Sequence, residues 1–452
     1  MRPSRFLVVM FFSLGTLLFL DSSSHGQTVT SLYSFPGHAS AEPGSVVPSQ
    51  GRDGRLYGTT VGVGTSGTIF AITTTGVATS PYTFGTDGAT PWGGLTLGTD
   101  GNYYGTASAG GADGGGVLFR FSPNGTYTDL HDFLSGLDGE SPYVPPIQAS
   151  DSKFYGVIEG NGGSAIYRYD PNGTFAVIYN FVNATGRQVA SSVIQGSDGN
   201  LYGTANLGGT SHCGTIFKLS TSGVMLWTYS FPCGAGGGFP ISSLMQASDG
   251  NYYGTTQVGG VGYGTVFKLD QSGDVSVLYS FKSTDSGFPI AGLTQGTDGN
   301  LYSTTEVGGT AGKGSLIQLT TSGIYRMLYS FEGVGQRPLA APMQHTNGLF
   351  YGTTYGGGRF DFGAVYSLDL GLGPFITFVQ PTGRVGRTAQ ILGQGLTGTT
   401  SVTFNGVPAT SFSVASDTYM TAVVPSGAAT GKVVVTTPGG ALTSNVNFRI
   451  IH

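Results

Sequence analysis

Short apolar segments alternate with polar, glycine-rich turns along almost the whole chain. Each segment is about four to eight residues long, rich in aromatic and β-branched side chains, and bounded by Gly, Asp, Asn or Ser. Such runs are typical of β-strands, because an amphipathic helix needs a period near 3.6 residues sustained over roughly ten or more positions. The pattern therefore predicts an all-β fold.

One phrase recurs in nearly the same letters, as in GTDGNYYGT (98–106) and GSDGNLYGT (196–204). Its tyrosine occurs at a mean spacing of about 49 residues, a period typical of repeat folds, at Tyr57, Tyr104, Tyr155, Tyr202, Tyr253, Tyr302 and Tyr351. In each repeat the first segment follows a proline, and the phrase itself contains the second. A third segment such as GTVFKL (264–269) and a fourth such as VLYSF (277–281) come after it. Four strands per repeat predict the blades of a β-propeller.

The two ends of the repeat region indicate that the propeller is a closed ring. The fourth-strand phrase occurs first as LYSF (32–35), before any copy of the tyrosine phrase, and the last repeat stops at Leu370 without a fourth strand of its own. The N-terminal strand is thus free to complete the last blade, and closure removes an aggregation-prone open edge. We predict a seven-bladed propeller over residues 28–370.

The Asp-Gly-Asn part of the phrase is a turn signal, because these residues tolerate left-handed backbone. A calcium site is the alternative, but the alternating oxygen ligands of a calcium loop are missing. In the strand that follows, we expect Tyr202 on one face and a gap at Gly203 on the other to let adjacent blades interlock. A sugar-stacking stripe is the alternative to a core role for the third-strand aromatic residues, which are Phe70, Phe119, Tyr167, Phe217, Phe267 and Tyr366, with Ile317 as the exception.

A glutamine recurs just before the phrase, and only Leu97 interrupts the series, whose members are Gln50, Gln148, Gln195, Gln246, Gln295 and Gln344. If the first segment of each repeat is the innermost strand, these side chains lie at the central channel or its rim. They are candidates for a ligand site. The alternative, which we favour, is a structural hydrogen bond from each glutamine to the backbone of a neighbouring blade.

Residues 374–452 contain further short β segments and a hairpin signal at Asn405 and Gly406, so a separate immunoglobulin-like β-sandwich of about seven strands is expected. The run VTFNGVPATSFSVASDTYMTAVVPSGAATGKVVVTTPGG (402–440) resembles the IPT/TIG immunoglobulin-like domain. The phrases DGNLYGTT, GTVFKL and VLYSF resemble the GloVer tandem repeat of exported, choice-of-anchor bacterial proteins. That resemblance implies a secreted or cell-surface protein and brings no catalytic residues.

The N-terminus predicts export, with a signal peptide over residues 1–26. A short basic start precedes an apolar run, Phe6 to Leu20, which is shorter than the roughly 20 residues needed to span a bilayer. A retained membrane anchor is the alternative. Export to an oxidising place allows a disulfide between Cys213 and Cys233, which would pin the outer hairpin centred near Gly223.

Charge and motifs limit the chemistry. The net charge is −5 and no basic cluster stands out, so nucleic acid is not an expected partner. No catalytic, metal or cofactor motif is present, and we expect no cofactor. The favoured function is a non-catalytic secreted, cell-surface or periplasmic protein that binds a glycan, peptide or protein at one mouth of the propeller.

The alternative function is a secreted polysaccharide hydrolase or lyase. It requires that residues which break the repeat gather at one mouth, and the candidates are His131, Asp132, Glu140, Glu159, His212, Glu306, Arg359 and Asp361. Fold class alone does not decide between the two functions.

Overall fold

The structure, a computed structural model, describes residues 27–37, 42–62, 66–134, 136, 138–160, 163–283 and 285–451. The predicted signal peptide (1–26) lies outside the described residues. Within these residues, regular secondary structure consists of β-strands and a 3-10 turn at Gly234–Gly236. No helix within the described ranges is long and apolar enough to cross a bilayer.

Seven four-stranded antiparallel sheets follow one another along the chain, and each is one blade of a propeller. The first strand of the chain is β1 (Thr28–Ser34). Blade 1 consists of β2 (Ser49–Gln50), β3 (Leu56–Thr60), β4 (Thr68–Ile72) and β5 (Ala78–Thr83). Blade 2 consists of β6 (Thr96–Leu97), β7 (Tyr103–Ala107), β8 (Val117–Phe121) and β9 (Tyr127–Asp132). Blade 3 consists of β10 (Ile147–Gln148), β11 (Phe154–Gly160), β12 (Gly163–Tyr169) and β13 (Phe175–Asn180).

The next three blades repeat this arrangement. Blade 4 consists of β14 (Ile194–Gln195), β15 (Leu201–Ala205), β16 (Thr215–Leu219) and β17 (Met225–Ser230). Blade 5 consists of β18 (Met245–Gln246), β19 (Tyr252–Thr256), β20 (Thr265–Leu269) and β21 (Val275–Ser280). A small pair, β22 (Ser286–Gly287) and β25 (Val307–Gly308), accompanies blade 6, which consists of β23 (Thr294–Gln295), β24 (Leu301–Thr305), β26 (Ser315–Leu319) and β27 (Tyr325–Ser330).

Blade 7 closes the ring with the N-terminal strand. It contains β28 (Met343–Gln344), β29 (Phe350–Thr354) and β30 (Ala364–Asp369). Its outermost strand is β1, from the N-terminus. The pairing is antiparallel and runs from Thr28 opposite Asp369 to Ser34 opposite Ala364. The predicted closed seven-bladed propeller is confirmed.

The aromatic ring of the third strand occupies the glycine gap of the second strand within the same blade. Gly254 pairs directly with Phe267, and a Cβ placed on Gly254 would lie 2.5 Å from Cζ of that ring. Directly opposed residues share one face of a sheet. The expectation that the gap receives the adjacent blade was therefore wrong. Blade 6 has Ser303 instead of glycine, and the smaller Ile317 lies opposite it, which accounts for the exception among the third-strand aromatics.

The recurring phrase is a turn that its own tyrosine holds. Tyr202 donates a hydrogen bond to Oδ2 of Asp198 (2.9 Å), and Oδ1 accepts the backbone N–H of Asn200 (3.1 Å). The same tyrosine–aspartate hydrogen bond, at 2.7–2.9 Å, occurs in blades 1 to 6. The tyrosine ring also stacks on the next blade, since the Tyr202 and Tyr252 centroids are 4.4 Å apart. The phrase thus stabilises both its turn and the seam between blades.

The C-terminal region forms an immunoglobulin-like sandwich with a core of its own, to which Ile391, Met420, Val433 and Phe448 belong. Its strands are β31 (Thr377–Phe378), β32 (Thr382–Gly383), β33 (Thr388–Leu392), β34 (Ser401–Phe404), β35 (Val407–Pro408), β36 (Phe412–Ser416), β37 (Tyr419–Val423), β38 (Val433–Thr437), β39 (Gly440–Thr443) and β40 (Arg449–Ile450). The sheet orders are β31-β33-β37-β36 and β35-β34-β38-β39, and β32 pairs in parallel with β40. Ten short strands replace the expected seven or so, because turns such as the one at Asn405 split the predicted segments.

Candidate functional site

The six glutamines of the series join consecutive blades. Gln246 of blade 5 accepts on Oε1 the backbone N–H of Ser197 in blade 4 (2.9 Å) and donates from Nε2 to the carbonyl of Gly250 in its own turn (3.0 Å). The Oε1 contact occurs at every member of the series, at 2.8–3.0 Å. These contacts are the structural hydrogen bonds between neighbouring blades that the sequence analysis favoured for the glutamines. A role of the glutamines in ligand binding stays a prediction.

The seam between blades 1 and 2 lacks the glutamine, and the immunoglobulin-like domain is docked there. Nη2 of Arg52 donates to the carbonyl of Thr99 (2.8 Å) and to Oε1 of Gln390 in β33 (2.7 Å). Nε2 of Gln390 donates to the same carbonyl (2.7 Å). Leu97, which replaces the glutamine, belongs to one buried apolar cluster with Leu392 of β33. The exception in the series is thus part of the docking surface between the domains.

A second contact between the domains lies at the seam where the ring closes. Nε2 of Gln50 in blade 1 donates to Oγ1 of Thr346 in blade 7 (2.7 Å), and this hydroxyl donates to the carbonyl of Gly393 (3.1 Å). Thr418 also donates to the carbonyl of Arg52 (2.7 Å). The immunoglobulin-like domain therefore covers the end of the channel that carries the glutamines, which we call the glutamine mouth.

A buried histidine adjoins this seam. Nδ1 of His345 accepts the backbone N–H of Asn347 (3.1 Å), so Nε2 carries the proton and donates it to the carbonyl of Gly54 in blade 1 (3.1 Å). Burial lowers the pKa of His345, although its hydrogen bond to the Gly54 carbonyl opposes that shift. The seam between blades 7 and 1 is thus built around a neutral imidazole.

The central channel encloses a cavity of about 820 Å³ that all seven blades line. Thr377 and Phe378 of β31, with Leu392, line it from the immunoglobulin-like domain. Val47 and Tyr143 also line it and remain 42% and 45% exposed, so the cavity is open to solvent. The described residues that line it include no Asp, Glu, His, Lys or Arg. Its walls are apolar side chains, hydroxyls and carboxamides, which suit an uncharged group.

At the channel end opposite the glutamine mouth, which we call the open mouth, the residue at one equivalent position of every blade has a strained backbone. The φ angles are +52° to +59°, a region that costs a non-glycine residue about 1–3 kcal/mol. Each residue lies just before the segment that lines the cavity, and all but Gln188 directly precede a proline. We call them the pre-proline positions: Glu42, Thr90, Ser141, Gln188, Phe239, Phe288 and Arg337. Their backbone is the same in every blade, but their side chains differ.

A second set of varied side chains lies beside the first. We call these the strand-end positions, because they end or follow the second strand: Val61, Ser108, Glu159, Asn206, Gln257, Glu306 and Tyr355. In six blades their N–H donates to the carbonyl of the pre-proline residue, at 2.9–3.5 Å. In blade 3, Glu159 pairs with Glu140 instead. The sequence analysis missed the pre-proline positions, although the proline of each repeat marks them.

Polar contacts cross three blades at the open mouth. Nη2 of Arg337 donates to Oε1 of Glu306 (2.6 Å), and the guanidinium lies 5.2 Å from the centroid of the Tyr355 ring. The Tyr355 hydroxyl donates to Oε2 of Glu42 (2.9 Å). Blade 6 supplies Glu306 to these contacts and also presents the aromatic ring of Phe288, which is 37% exposed. One arc of this mouth is thus charged and hydrogen-bonded, while another is aromatic.

The catalytic candidates do not gather in one pocket, and none of them lines the central cavity. Glu159 and Glu306 occupy strand-end positions, and burial raises the pKa of Glu159. His131, in the outer strand β9, makes a 2.7 Å hydrogen bond with Asp138. The other candidates lie in β9, in the loop before β10, or in the loops before β16 and β30: Asp132, Glu140, His212, Arg359 and Asp361. The described residues contain no group of three or more His, Cys, Asp or Glu placed to hold a metal ion.

The predicted disulfide between Cys213 and Cys233 is confirmed. It joins the end of the β16–β17 hairpin at which Thr215 pairs with Ser230. The carbonyl of Cys213 accepts the backbone N–H of Phe239, a pre-proline residue, at 2.7 Å. The crosslink therefore supports the open mouth at blade 4 and blade 5.

Comparison with protein families identifies the repeat. The model of the Gloeobacter/Verrucomicrobia repeat matches residues 12–194, 146–366 and 259–407. The chain belongs to the Gloeobacter/Verrucomicrobia repeat family. In this Gloeobacter/Verrucomicrobia repeat protein, the matched region contains all seven blades. The model of the IPT/TIG domain matches residues 374–450, which form the immunoglobulin-like domain on the glutamine mouth.

Solved structures similar to this Gloeobacter/Verrucomicrobia repeat protein include several enzymes. A fungal alcohol oxidase in complex with copper is 14% identical, with 93% of this chain and 98% of that chain covered at a TM-score of 0.46. The periplasmic gluconolactonase of Pseudomonas aeruginosa is 15% identical (71% and 96% covered, TM-score 0.46), and a gluconolactonase of Xanthomonas campestris is 15% identical (61% and 85% covered, TM-score 0.40). These likenesses carry no argument about function. No curated protein matches the chain.

Proposed function

We propose that this protein is exported and binds a peptide or a loop of a protein partner at its open mouth, without catalysing a reaction. The observation that carries the proposal is the contrast between a repeated scaffold and varied side chains. The turn phrase and the inter-blade contacts recur, whereas the pre-proline and strand-end positions differ from blade to blade. Varied residues held on a rigid frame are typical of binding surfaces.

Exposed aromatic rings around the open mouth favour a protein ligand. Tyr143 is 45%, Phe288 37% and Phe360 44% exposed, and all three lie in loops on this face. Aromatic residues and arginine are enriched in protein interfaces, where they supply most of the binding energy. Arg337 lies against the ring of Tyr355 on the same face and is oriented by Glu306. We expect the aromatic arc to bind apolar side chains and the polar arc to select the partner by charge.

The residues that line the central cavity, below the open mouth, favour a binding role over acid–base catalysis. General acid–base catalysis needs a titratable side chain within hydrogen-bond reach of the reacting group. The described lining residues include no carboxylate and no imidazole, and the phenol of Tyr143 is their one titratable side chain. An uncharged side chain of the partner fits such walls, because it loses no charge–water interactions on entering.

Export is part of the proposal, to the cell surface, the medium or the periplasm. The disulfide between Cys213 and Cys233 is typical of proteins in such oxidising compartments. If residues 1–26 are a cleaved signal peptide, N-terminal sequencing of the protein made in a bacterial host should start at Gln27. A mature chain that still starts at Met1 would contradict export by this route.

The binding experiment screens the mature chain against a random peptide library and a glycan array. Selected peptides should bind the Phe239→Ala/Phe288→Ala variant at least tenfold more weakly. A matched control is Val224→Ala/Ile324→Ala, which removes exposed apolar side chains from turns on the other face. Peptide binding that survives the mouth variant, or selection of glycans alone, would contradict the proposal.

A further inference from the structure

A second cavity, of about 410 Å³, lies between blades 4 and 5 on the face that carries the immunoglobulin-like domain. Trp227 of β17, Tyr202 and Tyr252 line it, together with Lys218 and Asp270. Its volume lies within the range of about 300–1,000 Å³ that is usual for small-molecule sites. The cavity combines aromatic rings with charged and amide groups, unlike the central channel.

A displaced β-bulge brings Trp227 to this cavity. In blade 4 the bulge lies between Lys218 and Leu219, so Trp227 pairs with Lys218. In blade 5 the bulge lies earlier in the third strand, and Val277, which aligns with Trp227, pairs with Phe267. Moving a residue by one position in a ladder transfers its side chain to the other face of the sheet. Blade 4 thus departs from the repeat, and this departure directs the Trp227 indole into the second cavity, which we call the groove.

The indole retains the capacity to bind a ligand. Trp227 is half-buried, one edge of its ring lies beside Gly273, and no described residue accepts a hydrogen bond from its N–H. Polar groups surround it. Nζ of Lys218 pairs with Oδ2 of Asp198 at 2.8 Å. Oδ1 of Asp270 accepts three hydrogen bonds within its turn, while Oδ2 has no donor among the described residues.

We propose that this groove binds a neutral pyranose ring of an oligosaccharide. One face of a pyranose presents C–H groups, which pack on the face of Trp227, and its hydroxyls both donate and accept hydrogen bonds. Asp270 accepts from them, and the indole N–H donates to them. Lys218 and Arg449 balance the charges of Asp198 and Asp270 around the groove, which therefore has no net charge and suits a neutral sugar better than a uronic acid or a phosphate.

This inference does not rest on the proposed function, because the groove lies on the face opposite the open mouth. It concerns one sugar ring, and a chain of sugars could continue along the surface beside Ser197, whose carbonyl accepts a hydrogen bond from Arg449 of the immunoglobulin-like domain. The open mouth and the groove can therefore be tested separately with variants of each.

Fluorescence of Trp227 gives a direct test, because Trp92 is the other tryptophan of the chain. In the mature Trp92→Phe protein we expect cellohexaose, chitohexaose or mannohexaose to change the emission of Trp227 in a saturable way. Calorimetry should then show that Trp227→Ala and Asp270→Asn each weaken the binding at least tenfold. Val277→Ala, at the aligned position of blade 5, should leave it unchanged.

Three results would overturn the inference. They are no saturable signal with any of the three neutral hexasaccharides, binding of hexagalacturonate alone, or unchanged affinity in Trp227→Ala. If Trp227→Ala melts at a lower temperature than the parent, Trp227→Phe and Asp270→Asn decide instead. The phenylalanine should retain part of the affinity, because it keeps an apolar ring, whereas Asp270→Asn should lose affinity without loss of fold.

Discussion

Arg52 and Gln390 meet across the boundary between the propeller and the immunoglobulin-like domain, joined by a 2.7 Å hydrogen bond. Both side chains also donate to the carbonyl of Thr99, and the Arg52 guanidinium lies 4.6 Å from the centroid of the Tyr419 ring. Groups from blade 1, blade 2 and the second domain thus converge on one partly buried point. This point is one of several contacts that hold the domain over the glutamine mouth.

Replacing Arg52 with alanine should loosen the second domain. Hydrogen bonds to charged groups contribute about 1.5–3 kcal/mol each, and the variant loses two of them and the stacking on Tyr419. We expect faster proteolytic cleavage in the linker at 371–373. Arg55→Ala is the control, since its pair with Asp53 is exposed and 3.6 Å long. Equal cleavage rates in the two variants would show that Arg52 does not hold the domain.

Replacing Gln246 with alanine should lower the free energy of unfolding by about 1 kcal/mol. The backbone N–H of Ser197 would lose its acceptor and the seam between blades 4 and 5 would weaken. Urea denaturation measures the change, and Gln188→Ala, which removes an exposed side chain, is the control. Loss of ligand binding at an unchanged melting temperature would instead favour the ligand-site hypothesis for the glutamine series.

Removing the disulfide should destabilise the propeller by about 2–4 kcal/mol. Its effect on local order should be largest near Phe239, whose N–H is bonded to the carbonyl of Cys213. Hydrogen exchange of the Cys213→Ser/Cys233→Ser protein should show faster exchange in this loop. Reductant should destabilise the parent and leave the double variant unchanged. Equal stability of the parent and the variant would mean that the crosslink contributes little.

Stability should fall as the pH decreases below about 6.5, the usual pKa of an unfolded histidine. Burial lowers the pKa of His345 in the folded state, so below that pH the unfolded chain binds more protons than the folded one. Folding is therefore penalised until the folded state also takes up the proton. Urea denaturation of the parent and of His345→Gly at several pH values measures this loss of stability. Glycine is the residue at the aligned position of blade 6, Gly296. The glycine variant should lose less stability between about pH 7.5 and 5, and an identical loss would exclude His345 as the cause.

The propeller could be predicted in detail because its determinants are local and repeated. The Asp-Gly turn, the alternation of Tyr202 and Gly203, and the missing fourth strand after Leu370 each constrain the chain within a few residues. The prediction about the glycine gap was wrong because alternation shows which residues share a face of the sheet. It does not show which aromatic ring fills the gap. Register decides that point, and it places Phe217 over Gly203.

The candidate site was less predictable, because it depends on contacts between distant segments. Leu97 was visible as an exception in the glutamine series, yet only docking of Leu392 beside it explains why an apolar residue is there. Similarly, Arg337 and Glu306 belong to different repeats, and their 2.6 Å contact requires the ring to be assembled.

The sequence by itself determined the number of blades, the closure of the ring, the disulfide and the presence of the immunoglobulin-like domain. Turn chemistry, strand alternation and chain connectivity suffice for these features, since each is encoded over short distances or repeated many times. Only the tertiary structure decided which mouth the second domain covers, which residues surround the other mouth, and that Trp227 faces a groove. Those outcomes arise from side-chain packing across domain and blade boundaries, where residues such as Arg52 and Gln390, far apart in the chain, share one hydrogen-bond acceptor.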